Sequence, residues 1–404
     1  MALQIQDVHE VVRSHIKSDD FEIISCEGVD LGGITAGFQS NANKAQIRFK
    51  TTRGEGKLDL FIKNIPELPY HRKTVLEMDS FNRESILFNE VLNKYHDYLK
   101  DHTIPECYLA RSDIQIMEDM TKKGFKNRPI YETFDLQHCE KTMATLAKFH
   151  ALSFITEKRE GRKMTEIVPI IKTETVMSTD KNHIGRRLVE VTIKSLKRVA
   201  KDYLEQLPSE AVKKAFDYLD HSFEEMRSSK LYPNVLSHGD MWASNIMFSY
   251  DDQGNVAEAC IYDFQLAAYK APGYDIQLFF HCCTNNELRE RYKDHLLRLY
   301  YVDLTRILRS EGIEIEDLMC WEDFENMLEE TLPITLAQAT LFLTFVLTPE
   351  SIVKDVMSCD EKCEVYFEVD RTDYVLESLA NHENYKRRVI PTLTNFINYF
   401  TKEL

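Results

Sequence analysis

The chain has 404 residues, more than a single hydrophobic core ordinarily organises, so two lobes are expected. Hydrophobic residues make up 43% and charged residues 29%, the balance of an ordinary globular protein. The 66 acidic and 50 basic residues leave a net charge of -16, which argues against nonspecific binding to nucleic acid or to an anionic membrane. A polyanionic ligand would need a local cation or metal ions.

The N-terminal MALQIQDVHEVV lacks the charged and apolar regions of a signal peptide, and nine cysteines are spread over the chain. Reduced thiols and a cytoplasmic location are the expectation. Cys282 with Cys283, and Cys359 with Cys363, have no second pair at zinc-binding spacing, so no zinc site is expected.

In chain order, residues 1–20 predict an amphipathic helix with Ile5, Val8, Val12 and Ile16 on one side. Residues 21–64 change to strand-like runs, FEIIS, AQIRFKTT and LDLFIKN, joined by glycine-bearing turns, which predicts a small antiparallel sheet. One helix is predicted over residues 74–99, where Phe81, Glu84, Phe88, Val91 and Tyr95 recur every three or four positions. Short strands at 107–110 and 114–118 precede a polar linker through Pro129. The lobe boundary is placed there, giving an N-terminal nucleotide-binding lobe at 1–119 and a catalytic lobe at 120–404.

The second lobe is predicted to be mainly helical, with helices over 136–154, 186–207, 209–229, 287–308, 321–347 and 376–399. Its most apolar stretch, 334–347, contains Gln338 and is flanked by Pro333 and Pro349. It is too short for a bilayer span and the right length for a buried helix, so no membrane span is expected.

The chemistry concentrates in residues 236–268, LSHGDMWASNIMFSYDDQGNVAEACIYDFQLAA. Phosphoryl transfer needs a carboxylate to orient an alcohol, metal ions to screen phosphate charge and a cation on the phosphates. His238-Gly239-Asp240 followed by Asn245 repeats the offsets of the kinase catalytic loop, with Asp240 as base or orienting group and Asn245 as metal ligand. A predicted hairpin then leads to Asp263 in Asp263-Phe264-Gln265, the place of the metal-binding aspartate. The cation is Lys63, at the end of an apolar strand. Glu84, a carboxylate on an apolar helix face, is its expected partner, with Glu77 a weaker candidate. The turn carrying Gly28, Gly32, Gly33, Gly37 and Ser40 could cover phosphates with its N–H groups. Its glycines do not reproduce G-x-G-x-x-G.

On FIKNIP, FNRESILF, IMEDM, LAKFHALSF, HGDMWASNIMF and IYDFQLAAYKAPGYDIQLFF, the sequence resembles the ecdysteroid kinase-like family, related to choline kinases and aminoglycoside phosphotransferases. The resemblance covers nearly the whole chain. It implies an α+β, protein-kinase-like bilobal fold, with an antiparallel-sheet N-lobe and a mostly helical C-lobe. It implies ATP and Mg2+ as cofactors, with Gly33, Gly37 and Ser40 at the phosphates and the main chain near Glu118 and Met120 at the adenine. It further implies that Asp275 braces the catalytic loop. The expected activity is phosphorylation of a hydroxyl on an ecdysteroid, steroid or xenobiotic. The alternatives are an amino-alcohol kinase of the choline or aminoglycoside type and a nucleotide-binding pseudokinase. A monomer acting on a small molecule is expected. The family's turn often has a G-x-N-x-x-S form, whereas Gly37-Phe38-Gln39-Ser40 lacks the asparagine. No A-P-E segment follows Asp263, which argues against a protein kinase.

Overall fold

The structure is a computed structural model that describes residues 3–29, 41–99 and 101–403. The chain forms two compact units, the first made of Met1–Asn127 and Ile246–Gln265, the second of Arg128–Asn245 and Leu266–Leu404. The fold is mixed α+β, with its main antiparallel sheet in the first unit and most of its helices in the second.

The first unit opens with helix α1 (Ile5–Ile16), followed by β1 (Glu22–Val29), β2 (Asn41–Thr51) and β3 (Gly54–Asn64). Next come helices α2 (Pro69–Glu77), α3 (Ser80–Leu87) and α4 (Asn93–Leu99), then β4 (Cys107–Ala110), β5 (Ile114–Glu118) and the short β6 (Lys126–Asn127). The five-stranded sheet has the order β1-β2-β3-β5-β4, with all its strand pairs antiparallel. Alternation along β2 and β3 sends Ile47, Leu58, Leu60 and Ile62 into a core that Val8, Val11 and Val12 of α1 cover. Of the predicted helix face, Val8 and Val12 join this core and Ile16 packs against it, whereas Ile5 is exposed and Val11 takes a core place that the prediction did not include.

The helix predicted over 74–99 is instead three helices and a π-helical turn. Asp79, at φ 55, adopts the left-handed conformation between α2 and α3, and Phe88–Leu92 forms the π turn. Apolar spacing does not register a single left-handed residue, because the apolar face resumes beyond it.

The second unit begins with α5 (Leu136–Glu160), α6 (Met164–Ile167), α7 (Ile184–Tyr203) and α8 (Ser209–His221), then β7 (Val235–Ser237). The hairpin of β8 (Ile246–Tyr250) and β9 (Val256–Ile261) clusters with the first unit, where β8 pairs with β6. The second unit resumes with β10 (Ala268–Lys270), which pairs antiparallel with β7, and α9 (Gly273–Cys283), α10 (Asn286–Ser310) and α11 (Trp321–Val346). It ends with α12 (Glu350–Val356), α13 (Asp360–Glu364), α14 (Thr372–Asn381) and α15 (Glu383–Tyr399).

Local chemistry sets these boundaries. Asp135 caps α5 by accepting from the His138 N–H, and Gly161 at φ 64 ends it. Asn285 caps α10 through the Leu288 N–H. The helix predicted over 376–399 is broken at His382, whose extended φ of -127 separates α14 from α15. α11 continues through Pro333 and packs against α9 and α15. No single helix among the described residues is long and apolar enough to cross a membrane.

Candidate active site

In the first unit, β3 delivers Lys63 to the face of the sheet opposite Leu58, Leu60 and Ile62, where only 5% of the residue is exposed. Its Nζ lies 2.7 Å from Glu84 Oε2 on α3 and 3.0 Å from Asp263 Oδ1 just beyond β9. The second Glu84 oxygen accepts the Phe264 N–H at 2.9 Å. One buried carboxylate thus holds both the lysine and the backbone that follows Asp263. Asp263 itself is held at φ 71, a left-handed conformation unusual for a side-chain-bearing residue.

Burial opposes the Lys63 charge, but the Asp263 and Glu84 carboxylates outweigh it and hold the lysine pKa above its ordinary value. The ammonium therefore persists in a place where an unpaired charge would not. Phe81 contributes its ring 5.7 Å from Nζ, and Phe264 packs edge-on against Phe88. Glu77 belongs to α2, across the break at Asp79, and pairs with Lys73 at 3.8 Å, so the partner of Lys63 is Glu84.

In the second unit, the turn after β7 carries His238, Gly239 and Asp240. Asp275, fully buried at the start of α9, holds this turn from beneath. Its Oδ1 accepts from Ser237 Oγ at 2.8 Å and from the Gly239 N–H at 2.9 Å. Its Oδ2 accepts from the His238 N–H at 2.7 Å and pairs with His150 Nε2 at 3.0 Å.

A carboxylate only accepts, so His150 carries a proton on Nε2, and its Nδ1 faces the Tyr300 hydroxyl at 2.7 Å. Burial alone would raise the Asp275 pKa. The hydrogen bond and charge of His150, the charge of His238 and the Gly239 N–H reverse that and hold it below the ordinary carboxylate value. Asn245 Nδ2 donates to both the Asp240 carbonyl at 3.0 Å and its Oδ2 at 2.8 Å, which fixes the carboxylate relative to the asparagine.

The donor set suits a hard divalent cation. The Asn245 amide nitrogen is turned to Asp240, leaving its carbonyl oxygen as the group for a cation, and Asp263 has a second oxygen beyond the one that meets Lys63. In sequence, Asn245 immediately precedes β8 and Asp263 follows β9. Among the described residues no three His, Cys, Asp or Glu side chains gather as a metal site. A cation held by either group would draw its remaining ligands from phosphate and water, as Mg2+ does.

The other predicted positions divide. Glu118 and Met120 are buried: the Glu118 carboxylate accepts the Glu106 N–H and pairs with Lys123, and the Met120 side chain packs on Phe125, Met247 and Cys260. The N–H groups of Glu118 and Asp119 bond to the carbonyls of Glu106 and Asp59. Gly32, Gly33, Gly37 and Ser40 lie outside the described residues. Three members of the site had no functional assignment from the sequence. His150 and Tyr300 extend the Asp275 network, and Gln338 of α11 donates from Nε2 to the Gly239 carbonyl at 3.1 Å. The signal for Gln338 was a single amide within an apolar run.

A buried lysine–glutamate pair beside an aspartate, together with an HGD turn and its following asparagine, defines the kinase-like phosphotransferase class. The chain belongs to the ecdysteroid kinase-like family, whose sequence profile matches residues 35–312. No curated protein matches the sequence. Among solved structures, the chain is similar to spectinomycin phosphotransferase APH(9)-Ia in an AMP-bound complex, at 14% identity and a TM-score of 0.40, over 94% of this chain and 100% of that one. A microcompartment-associated aminopropanol kinase gives 14% and 0.40, over 96% and 100%. A choline/ethanolamine kinase family protein from Mesorhizobium loti gives 11% and 0.35, over 91% and 92%.

Proposed function

We propose that this protein is an ATP-dependent kinase that phosphorylates a hydroxyl group of a small, largely apolar acceptor of the ecdysteroid, steroid or xenobiotic kind. The observation that carries the proposal is the buried Lys63–Glu84 pair with the half-buried Asp263 beside it. Its cost in desolvation is hard to justify by stability alone, since apolar side chains of like volume would serve a core as well or better.

In this mechanism Asp240 accepts a hydrogen bond from the acceptor hydroxyl and takes its proton as the oxygen bonds to the γ-phosphorus. The bond from that phosphorus to the bridging oxygen breaks, and ADP leaves. Asn245 holds the Asp240 carboxylate in place and, with Asp263, offers oxygen ligands to Mg2+. The bound ion would screen the phosphate charge. Lys63, steadied by Glu84, neutralises phosphate oxygens. With the N–H groups of Glu118 and Asp119 already engaged, adenine recognition falls to the other main-chain groups near Met120. The glycine turn with Gly33, Gly37 and Ser40 would cover the phosphates. All nine cysteines are free, which supports a reducing compartment such as the cytoplasm.

The alternative acceptor class is the amino alcohols of the choline or aminoglycoside type. The test is to incubate purified protein with Mg-ATP and a panel of ecdysteroids, other steroids, choline and an aminoglycoside, and to detect phosphate esters by mass spectrometry. An ecdysteroid or steroid ester supports the leading proposal, and an ester on choline or the aminoglycoside alone replaces it with the second. Asp240→Asn is expected to abolish ester formation and retain ATP binding. Equal turnover in the variant would remove Asp240 from the mechanism.

A further inference from the structure

We propose that Gln338 is a positioning residue for Asp240, acting through the peptide bond that joins Gly239 to Asp240. This rests on Asp240 orienting the acceptor, as proposed above.

Gln338 lies on α11 between Ala337 and Ala339, in the most apolar stretch of the chain, and is 4% exposed. Its Nε2 donates to the Gly239 carbonyl at 3.1 Å. On the opposite edge of the same peptide plane, the Asp240 N–H meets His238 Nδ1 at 3.3 Å. The preceding N–H groups, of His238 and Gly239, are bound by Asp275. Rotation of that plane would therefore break hydrogen bonds on both edges, and the Asp240 side chain departs directly from it.

Gly239 gives the plane no slack from behind. Its φ is 78, and a Cβ there would lie 2.2 Å from the Leu266 carbonyl oxygen. The carbonyl can thus be reached by an amide from α11, whereas a bulkier residue at 239 would displace the loop.

The second half of the Gln338 amide argues against a purely structural role. Its Oε1 is buried and has no hydrogen-bond partner among the described residues. A buried amide that satisfies only one end is a poor core residue, and leucine or methionine would fill the space without leaving a polar atom unmet. What such a replacement would lose is the donor to Gly239.

Gln338→Met and Gln338→Glu test this in the full chain, with phosphoryl transfer from Mg-ATP to water as the assay when no acceptor is supplied. Gln338→Met is expected to lower kcat roughly 10- to 100-fold, the scale of a small misplacement of a reacting group. Nucleotide KM and Tm should stay at or near the wild-type values. Gln338→Glu adds a pH signature. The ionised carboxylate cannot donate to the Gly239 carbonyl, but the protonated form can, so activity relative to wild type should recover as pH falls. A structural role predicts a lower Tm and no such recovery.

Hydrogen exchange gives a readout that needs no turnover. Amides in the segment 238–245 should exchange about 10-fold or more faster in Gln338→Met, with those of β3 unchanged. If wild-type protein transfers no phosphoryl group to water or to any acceptor, the phosphotransfer proposal falls and exchange alone decides the role of Gln338. Wild-type kcat in Gln338→Met, or unchanged protection of 238–245, would overturn the positioning role. Should the methionine variant not fold, Gln338→Glu compared at two pH values carries the same decision.

Discussion

Lys63 combines two demands, since it must be ionised to meet phosphate and must be neutralised to remain buried. Removing it as Lys63→Met leaves Glu84 and Asp263 facing each other without a counter-charge, and the loss of one partner from a buried ion pair costs about 3–5 kcal/mol. Urea titration should show that loss together with weaker nucleotide binding. The double variant Lys63→Met with Glu84→Gln should regain part of the stability and none of the binding. The pH dependence has opposite signs at the two anchors. The raised Lys63 pKa gives a contribution that is complete below the unfolded lysine value, about 10.4, and is lost as pH rises through the folded value. The depressed Asp275 pKa gives a contribution present above the unfolded aspartate value, about 3.9, and lost as pH falls through the folded value. These two anchors add no slope between those limits, but burial holds His71 and His281 below the ordinary histidine value and several thiols above theirs, so melting temperature should peak between about pH 6.5 and 8.5 and fall on either side. Asp275→Asn should lower that peak and remove the acid-side loss due to Asp275, because its amide nitrogen cannot accept the N–H groups that Asp275 accepts.

The elements differ in how openly the sequence declared them. The strands β2 and β3 and the α1 helix were legible because each buries one face, so a period of 2 or 3.6 appears in the residue pattern, whereas β4 and β5 are buried at every position. α9 was not legible: its residues from Gly273 to Phe280 are all buried, and a helix without a polar side produces no amphipathic period. The break at Asp79 escaped for the opposite reason, since apolar spacing carries on across one left-handed residue. Among site residues, Asp240, Asn245 and Asp263 could be named because their chemistry lies within one short segment at fixed offsets. Glu84 could be named because a carboxylate on an apolar face needs a partner. His150 lies 125 positions from Asp275, and nothing local marks that pairing. The turn after β7 also makes a prediction at this scale. In Gly239→Ala the new methyl would have to displace the Leu266 carbonyl, so turnover should fall sharply and thermal stability with it, whereas Gly254→Ala, where a Cβ meets nothing within 4 Å, should keep activity at a small cost from its φ of 82.

At the scale of the molecule, the thiols report on packing. Cys26 and Cys359 are exposed and Cys320 is half-buried, while the other six are buried. Burial raises the thiols of Cys107, Cys139, Cys282 and Cys283 above their ordinary value, which further slows their reaction. A thiol reagent should label Cys26 and Cys359 rapidly in the native protein and all nine only after denaturation. Fast labelling of Cys282 or Cys283 would mean that α9 is not packed as described. The composition of the first unit has a further consequence, for the order in which the protein can be made. Its sheet-rich body is encoded by residues up to Asn127, but β6 has no partner strand, and the carbonyl of Thr103 no N–H from Ile261, until the β8 and β9 hairpin exists. On a ribosome adding about 5–20 residues each second, that hairpin emerges roughly 7–27 s after Asn127. For that interval the nascent chain holds Lys63 and Glu84 without Asp263, and a fragment ending at residue 127 would remain in that incomplete state permanently.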